Sequence, residues 1–322
     1  MRRMLALLAI AVLAVGALAA PIKIGITQIV DHPALNAVRQ GVIDVLAEAG
    51  YLEGEDVEFV FGNAQGDFSV AMSIAQNFVD QRVDLVVAIA TPTAQAAVQV
   101  FKETDTPVVF SAVTDPVGAG LTGYANVTGG SDLIDVRSDL ALIRQLDPDI
   151  QRVGMVYNPG EANSAILTQM AEEAAPELGL TIVTAAAENT AAVPLAAQSL
   201  LGRADALYVT TDNTVASALE AVVAVATEGQ LPFLMADPTS LERGVMVCTG
   251  FDYYDHGRLT GDMVLALVEG AQPADIPVTY QKGTQLWLNL DAAAEADFAF
   301  PAAVVDQATG LLFGGKRFVV QD

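Results

Sequence analysis

The sequence predicts an α/β protein built from two doubly wound, Rossmann-like lobes with parallel sheets. Three observations carry this. Short apolar runs rich in valine alternate with stretches of helical period, the pattern of βαβ units. The order of elements starts again past residue 130. One strand–corner–helix stretch also occurs twice, as "DLVVAIATPTAQAAV" from Asp84 to Val98 and as "DALYVTTDNTVASAL" from Asp205 to Leu219.

The first series opens with "IKIGIT" (Ile22–Thr27), a buried strand. From Pro33 to Gly50, Leu35, Val38, Val42, Val45, Leu46 and Ala49 share one helical face, and Asn36, Arg39, Gln40, Asp44 and Glu48 take the other. A strand "VEFVF", a helix from about Asp67 to Gln81, the strand "LVVAIA", a helix opening near Pro92 and the strand "PVVFSAV" follow. A glycine-rich passage, Gly118–Gly130, separates this series from the next. There "DLIDVRSDLALIRQL" reads as a helix and "RVGMVYN" as a strand. A helix over about Gly160–Leu178, the strand "LTIVTAA", a further helix, "DALYVTT", a helix from Asn213 and "LPFLMAD" complete it. Lys23-Ile24-Gly25 is echoed by Arg152-Val153-Gly154, and "TPVVFSAV" by "LPFLMAD". Two similar lobes explain the repeated corners better than one large sheet.

Residues 1–20 stand apart. Arg2 and Arg3, an uncharged apolar run and the small residues Ala17, Ala19 and Ala20 make the three-part pattern of a cleaved secretory signal peptide. The run is short for a membrane-spanning helix, and no cysteine near the cleavage site offers a lipid attachment point. No other long uncharged segment follows, so a soluble exported product is expected. The 322 residues carry a formal charge of −24, which argues against a nucleic-acid partner, because such a binder needs a basic face. The single cysteine, Cys248 in "GVMVCTG", reads as a core residue in a buried strand.

In open parallel sheets, ligands bind beyond the carboxyl ends of the strands, where helix starts present free N–H groups. Thr91, Thr93, Asp212 and Asn213 all fall at such corners. Each alone reads as an N-cap. As opposite walls of one cleft, a Thr-lined helix start suits a carboxylate and an Asp suits an ammonium, which together describe a site for an α-amino acid.

Other motifs carry less. "GAGLTG" (Gly118–Gly123) has the letters of a dinucleotide fingerprint, but it follows a "TDPV" turn and leads into "YANVTGG" rather than a helix. It reads as a flexible crossing segment, and no cofactor is expected. Neither a P-loop nor a G-x-S-x-G elbow is present. Of the two histidines, His32 and His256, the second lies in "DYYDHGR" beside Asp252 and Asp255. That spacing is a weak metal signal; a solvated helix start is the expectation, with no metal. "NVT" at Asn126 is a glycosylation sequon in letters only, and no arrangement indicates catalysis.

The stretches "HPALNAVRQGV", "DLVVAIATPTAQAAV", "PVVFSAVTDPVGAGL", "YNPGEANS", "DALYVTTDNTVASAL" and "GFDYYDHGRLTGDMV" together resemble the ABC-transporter substrate-binding proteins of the tryptophan/aromatic amino-acid type, a branch of the type I periplasmic binding proteins. The likeness covers nearly the whole chain after the signal segment. It implies two lobes joined by three crossings and hinged, a cleft that closes on its ligand, and delivery to a membrane permease. Lobe 1 would comprise residues 21–130 with 251–282 returning to it, and lobe 2 residues 131–250 with 283–322. The cleft positions implied are Gln28, Thr91, Thr93, Ser111 and Val113 on one side. Tyr157, Asn158, Glu161, Ser164, Asp212, Asn213 and Asp237 stand opposite, with Tyr157 as the ring packing the ligand side chain. Many relatives carry Gly before Thr-Pro in the first corner, where this chain has Ala90.

The expectation is thus a monomeric, non-enzymatic periplasmic or extracellular binding protein for an amino acid, aromatic by resemblance, working with an ABC permease. A branched aliphatic amino acid or small amide is the rival ligand. An exported α/β enzyme, such as a hydrolase or racemase, and a receptor-coupled sensor are the rival classes. The A-x-A pattern places cleavage after Ala19: intact-mass measurement of protein recovered outside the cytoplasm is expected to give an N-terminus at Ala20, and a full-length, membrane-retained product would refute it.

Overall fold

The computed structural model describes residues 20–320, so the signal segment lies outside the described residues. Within them the chain forms two sheets. The first contains β1 (Ile22–Gln28), β2 (Val57–Asn63), β3 (Leu85–Ile89), β4 (Val108–Val113) and β5 (Val127–Ser131), with a late strand, Thr279–Tyr280, at its edge. The second contains β6 (Arg152–Tyr157), β7 (Thr181–Ala186), β8 (Ala206–Val209), β9 (Phe233–Met235) and β10 (Val247–Gly250). With the late strand counted as β11, the second sheet also holds β12 (Gln285–Asn289), β13 (Gly310–Phe313) and β14 (Lys316–Val319).

The order across the first sheet is β2-β1-β3-β4-β5-β11, with every pairing parallel. Across the second it is β7-β6-β8-β9-β10-β12-β13-β14, parallel through β10 and then mixed. The first five strands of each series thus take the same places. Strands buried on both faces, such as the wholly buried "LVVAI" of β3, need helices on both sides of the sheet. The backbone passes between the sheets three times, after β5, after β10 and after β11.

Helices follow most of the parallel strands: α1 (Pro33–Glu48), α2 (Phe68–Gln81) and α3 (Thr91–Phe101) in the first series, α4 (Val136–Leu146), α5 (Ala162–Ala174), α6 (Val193–Gln198), α7 (Asn213–Ser217) and α8 (Leu219–Gly229) in the second. After the second crossing comes α9 (Tyr253–Val268), and short helices α10 (Leu290–Glu295) and α11 (Ala302–Val305) lie near the C-terminus. None of the described helices is long and apolar enough to cross a membrane.

Three local readings change. The "VTGGS" segment is a strand, β5, which its glycines conceal: a Cβ at Gly129 would stand 2.1 Å from the carbonyl oxygen of Phe110, so only glycine lets β5 pair closely with β4. "GAGLTG" is a loop joining β4 to β5 within one sheet and not a crossing. Helix α4 begins at Val136, because Asp135 accepts from the Ser138 N–H and caps it; Asp132 to Asp135 form the first crossing. Cys248 is buried in β10.

Helix α9 is held on α1 by missing side chains. A Cβ at Gly257 would lie 2.2 Å from the Val38 carbonyl oxygen, and one at Gly41 would lie 2.5 Å from that of Tyr254. The two backbones therefore touch, and Tyr253, Met263 and Val264 of α9 join the core of Ile24, Val38, Val42 and Val87. Since the obstruction is backbone, it cannot swing aside. Gly257→Ala is expected to lose stability at or above the upper end of the roughly 1–3 kcal/mol typical of overpacking; denaturant titration checks this, and a loss below about 0.5 kcal/mol would contradict the packing described.

Candidate functional site

The two repeated corners face one another, and they are finished differently. In the first, β3 ends at Ile89 and α3 starts at Thr91. The residue between them, Ala90, sits at φ +81°, ψ 155° and offers no side-chain cap, a conformation close to glycine-only. Thr93 donates its hydroxyl to the carbonyls of Ile89 and Ala90 (2.5 and 3.0 Å) and ties the corner. Thr91 Oγ1 is buried with no partner. The first turn of α3 thus presents its N–H end without a side-chain acceptor.

In the second corner the chain's own carboxylates occupy the helix start. Asp212 caps α7 by accepting from the Val215 N–H (2.8 Å), and its other oxygen accepts from the Asn158 N–H (2.6 Å) and Ser164 Oγ (2.5 Å). Glu161 accepts from the N–H groups of Asn213 and Thr214 (3.2 and 3.0 Å), from Asn213 Nδ2 (2.6 Å) and from Thr214 Oγ1 (2.7 Å). Burial, then the neighbouring Glu161 charge, push the Asp212 carboxyl up to about 7, against the lowering effect of its hydrogen bonds.

Between the corners lies a cavity walled by both lobes. The first supplies His32, Ala34, Leu35, Ala90, Thr91, Ala112 and Thr114, the second supplies Asn163, Thr211, Asp212, Asn213, Ala216, Met235 and Asp237, the first crossing adds Asp132 and the start of α9 adds Tyr253. Four alanines, Leu35 and Met235 make much of its wall apolar, and a few polar groups converge on it, as small-molecule sites require. Ala112 shares the strain of Ala90: it sits at φ +52° in the irregular pairing of β4 with β5. Its N–H donates to His256 Nε2 (3.0 Å).

His256 therefore differs from its expected place at a solvated helix start. Tyr253, His256, Gly257 and Thr260 form the face of α9 turned into the protein, so the imidazole is buried and its Nδ1 meets Gln281 Oε1 at 3.3 Å. Burial lowers its pKa to about 4. It stays neutral above that and keeps Nε2 as an acceptor for Ala112.

Of the residues singled out in the sequence, Thr91, Asp212, Asn213 and Asp237 line this cavity. Asn158 and Glu161 line a second hollow between the lobes, with Ile29, Phe68 and Pro92. The others stand behind the wall. Gln28 is locked by Val30 O, Asn36 and Arg39, Ser111 meets Thr260 at 2.7 Å, Thr93 and Ser164 brace the corners, and Val113 packs with Phe110 and Leu121 in the core. Tyr157 closes β6 half-buried and is not among the cavity's lining residues; the aromatic ring there is Tyr253.

His32, Thr114, Asp132, Asn163, Thr211 and Tyr253 also line the cavity, though sequence reasoning assigned none of them a place in the cleft. The signal was available for two of them: a polar or aromatic residue on, or immediately after, a segment crossing between lobes passes beside the cleft, as Asp132 and Tyr253 do. His32 and Thr114 reach the opposite lobe. His32 Nε2 lies 3.2 Å from Arg243 Nη1 and 3.7 Å from Asp237 Oδ2, and Thr114 Oγ1 lies 3.4 Å from Thr211 Oγ1. Burial, with Arg243 assisting, lowers the His32 pKa, and Asp237 opposes this.

The chain matches the family of ABC transporter substrate binding proteins over residues 23–311. It is 36% identical over 280 residues to a tyrosine-binding protein of Clostridioides difficile, covering 85% of this chain and 81% of that protein. Among solved structures, an ABC domain from Streptococcus pneumoniae in complex with L-Trp is 32% identical, with a TM-score of 0.86 over 91% of this chain and all of that one. The ligand-free, open structure of a substrate binding protein from Clostridium difficile is 36% identical, with a TM-score of 0.65 over 87% of this chain and 96% of that one. At comparable identity, the fold superposes better on the L-Trp complex than on the open structure.

Ala90 gives this site its test. A residue held in so sparsely populated a region carries roughly 1–3 kcal/mol of strain, which glycine relieves at the loss of one buried methyl, about 0.8 kcal/mol. Ala90→Gly is expected to unfold at an equal or higher denaturant concentration, against the usual destabilising sign of Ala→Gly. A drop of about 1 kcal/mol or more would show that Ala90 is unstrained.

Proposed function

The chain belongs to the family of ABC transporter substrate-binding proteins, and on that premise we propose that it captures an aromatic amino acid in the cavity between its lobes and hands it to an ABC importer outside the cytoplasm. The observation that carries the ligand class is the contrast between the corners. The α3 start offers uncapped backbone N–H groups and the unpartnered hydroxyl of Thr91, an arrangement that receives a carboxylate. The α7 start is filled by Glu161 and Asp212, which confines the anion to the lobe 1 wall. The apolar lining of Ala34, Leu35, Ala216 and Met235 then takes the side chain, beside the ring of Tyr253. The tyrosine-binding relative and the L-Trp-bound neighbour support an aromatic ligand over a branched aliphatic one.

The lobes are the moving parts. Contacts such as His32 with Arg243 form only when the walls approach, so a ligand that touches both walls favours the closed arrangement. The better superposition on the L-Trp complex supports this reading. The protein acts as a monomer and a carrier, not an enzyme: the cavity's polar groups are placed to hold charge, and the net charge of −24 opposes any nucleic-acid role. An N-terminal signal peptide, cleaved after Ala19, delivers it across the membrane.

A thermal-shift screen against the twenty amino acids, followed by calorimetric titration, tests this. Stabilisation is expected to be greatest with tyrosine or tryptophan, growing as RT ln(1 + [L]/Kd). Thr91→Val is expected to weaken binding by about 1.5–3 kcal/mol, the worth of a hydrogen bond to a charged group, or roughly 10- to 150-fold in Kd, with folding intact. Unchanged affinity in that variant would remove the α3 corner as the carboxylate site. Preference for leucine or isoleucine, or chemical conversion of the ligand, would favour the rival readings.

A further inference from the structure

Three carboxylates line the cavity, and they differ in how far the protein already satisfies them. A carboxylate has about four acceptor sites. Asp212 accepts from Asn158, Ser164 and Val215, all within 2.8 Å. Asp237 accepts from the Thr239 N–H and hydroxyl and from Ser240 Oγ, all within 2.9 Å. Asp132 is equally buried, yet its side-chain donors are Tyr253 Oη at 3.2 Å and Thr114 Oγ1 at 3.4 Å, joined by its own backbone N–H. Both hydroxyl contacts exceed the usual O–H···O range of about 2.5–3.0 Å. A buried carboxylate held so loosely is costly unless something else approaches it.

A second group in the same wall has the same need. Asn163 donates its amide to Thr211 O (2.7 Å) and Glu161 (3.3 Å), which fixes the orientation of the amide, and its Oδ1 is buried with no partner. Two under-used acceptors, one of them anionic, line one cavity with the Thr91 corner, which has donors to spare.

Resting on the amino-acid reading above, we propose that Asp132, on the first crossing, is the counterion of the ligand's ammonium group, with Asn163 Oδ1 as its second acceptor, and that Asp212 shapes the lobe 2 wall without contacting the ammonium. The charges of the ligand then fall on lobe 1 and a crossing, and lobe 2 closes over them with Asn163 and the apolar residues Ala216 and Met235. Burial raises the Asp132 carboxyl to about 6; an ammonium in the cavity holds it ionised.

The test is calorimetric titration of wild type, Asp132→Asn and Asp212→Asn with L-tyrosine and L-tryptophan, and with 3-(4-hydroxyphenyl)propionate and indole-3-propionate, which lack the amino group. Wild type is expected to bind the amino acids at least tenfold tighter than the matching propionates. Asp132→Asn is expected to lose about 30- to 4,000-fold toward the amino acids, the effect of removing one partner of a buried charge pair, and little toward the propionates. Asp212→Asn is expected to keep the wild-type ratio between them. An unchanged ratio in Asp132→Asn, or a ratio collapsed by Asp212→Asn instead, would overturn the assignment. Should Asp132→Asn fail to fold in a circular-dichroism melt, a wild-type preference below about threefold for amino acids over propionates would overturn it by itself. Failure of wild type to bind any amino acid would remove the underlying reading, and this assignment with it.

Discussion

Free amide groups at a helix start have to be met by an acceptor, and that constraint organises the cleft. A parallel strand that hands over to a helix creates such a start at each corner. In lobe 2 the acceptors are built in: Glu161 reaches across from the start of α5 to take the N–H groups of Asn213 and Thr214, and Asp212 takes that of Val215. This welds the β6 and β8 corners into one rigid wall, since Asp212 also fixes Asn158 and Ser164. In lobe 1 the corresponding corner has Thr91 where lobe 2 has an acid. One repeated motif therefore yields one finished wall and one receptive wall, and the difference lies in two acids: Asp212 at the position equivalent to Thr91, and Glu161 brought from the start of α5.

The lobe 1 wall is shaped by strain that other elements hold in place. Ala90, just past β3, and Ala112, near the end of neighbouring β4, adopt positive φ values. Thr93 secures the first by bonding back to Ile89 and Ala90, and His256 secures the second by accepting its N–H. His256 arrives on α9, which comes from late in the chain and packs through Gly257 against α1. The receptive wall thus depends on a segment that enters lobe 1 only after lobe 2 has been traversed. Across the gap, His32, which caps α1 through Nδ1, turns its other nitrogen to Arg243, itself held by Glu220.

Much of the fold was legible because burial on both sheet faces leaves continuous apolar runs, and "LVVAIA", "RVGMVY" and "ALYV" are such runs. β5 was not, because its glycines answer to Phe110 across the sheet and not to any local propensity. At the site, residues at strand–helix corners could be read from chain order, and Thr91, Asp212, Asn213 and Asp237 do line the cavity. On the crossings and α9 no such corner marks the site: Asp132 and Tyr253 are signalled only by lying beside the implied crossings, and His256 becomes a neighbour of the cleft only through the way three segments thread between the lobes. Their letters resemble ordinary caps and surface residues until that threading is known.

The threading also sets the order in which the protein can mature. Lobe 1 lacks α9 and its edge strand until Tyr280 has been made, so the faces of α1 around Val38 and Gly41 have no cover through most of synthesis. Lobe 2 waits longer still, for Leu288, Ala293, Val304 and Ala308 of its core. Neither half can become a finished domain from its first contiguous stretch of chain, and contacts between residues so far apart in sequence form slowly. A polypeptide wired in this way completes both lobes only when nearly its whole length is available.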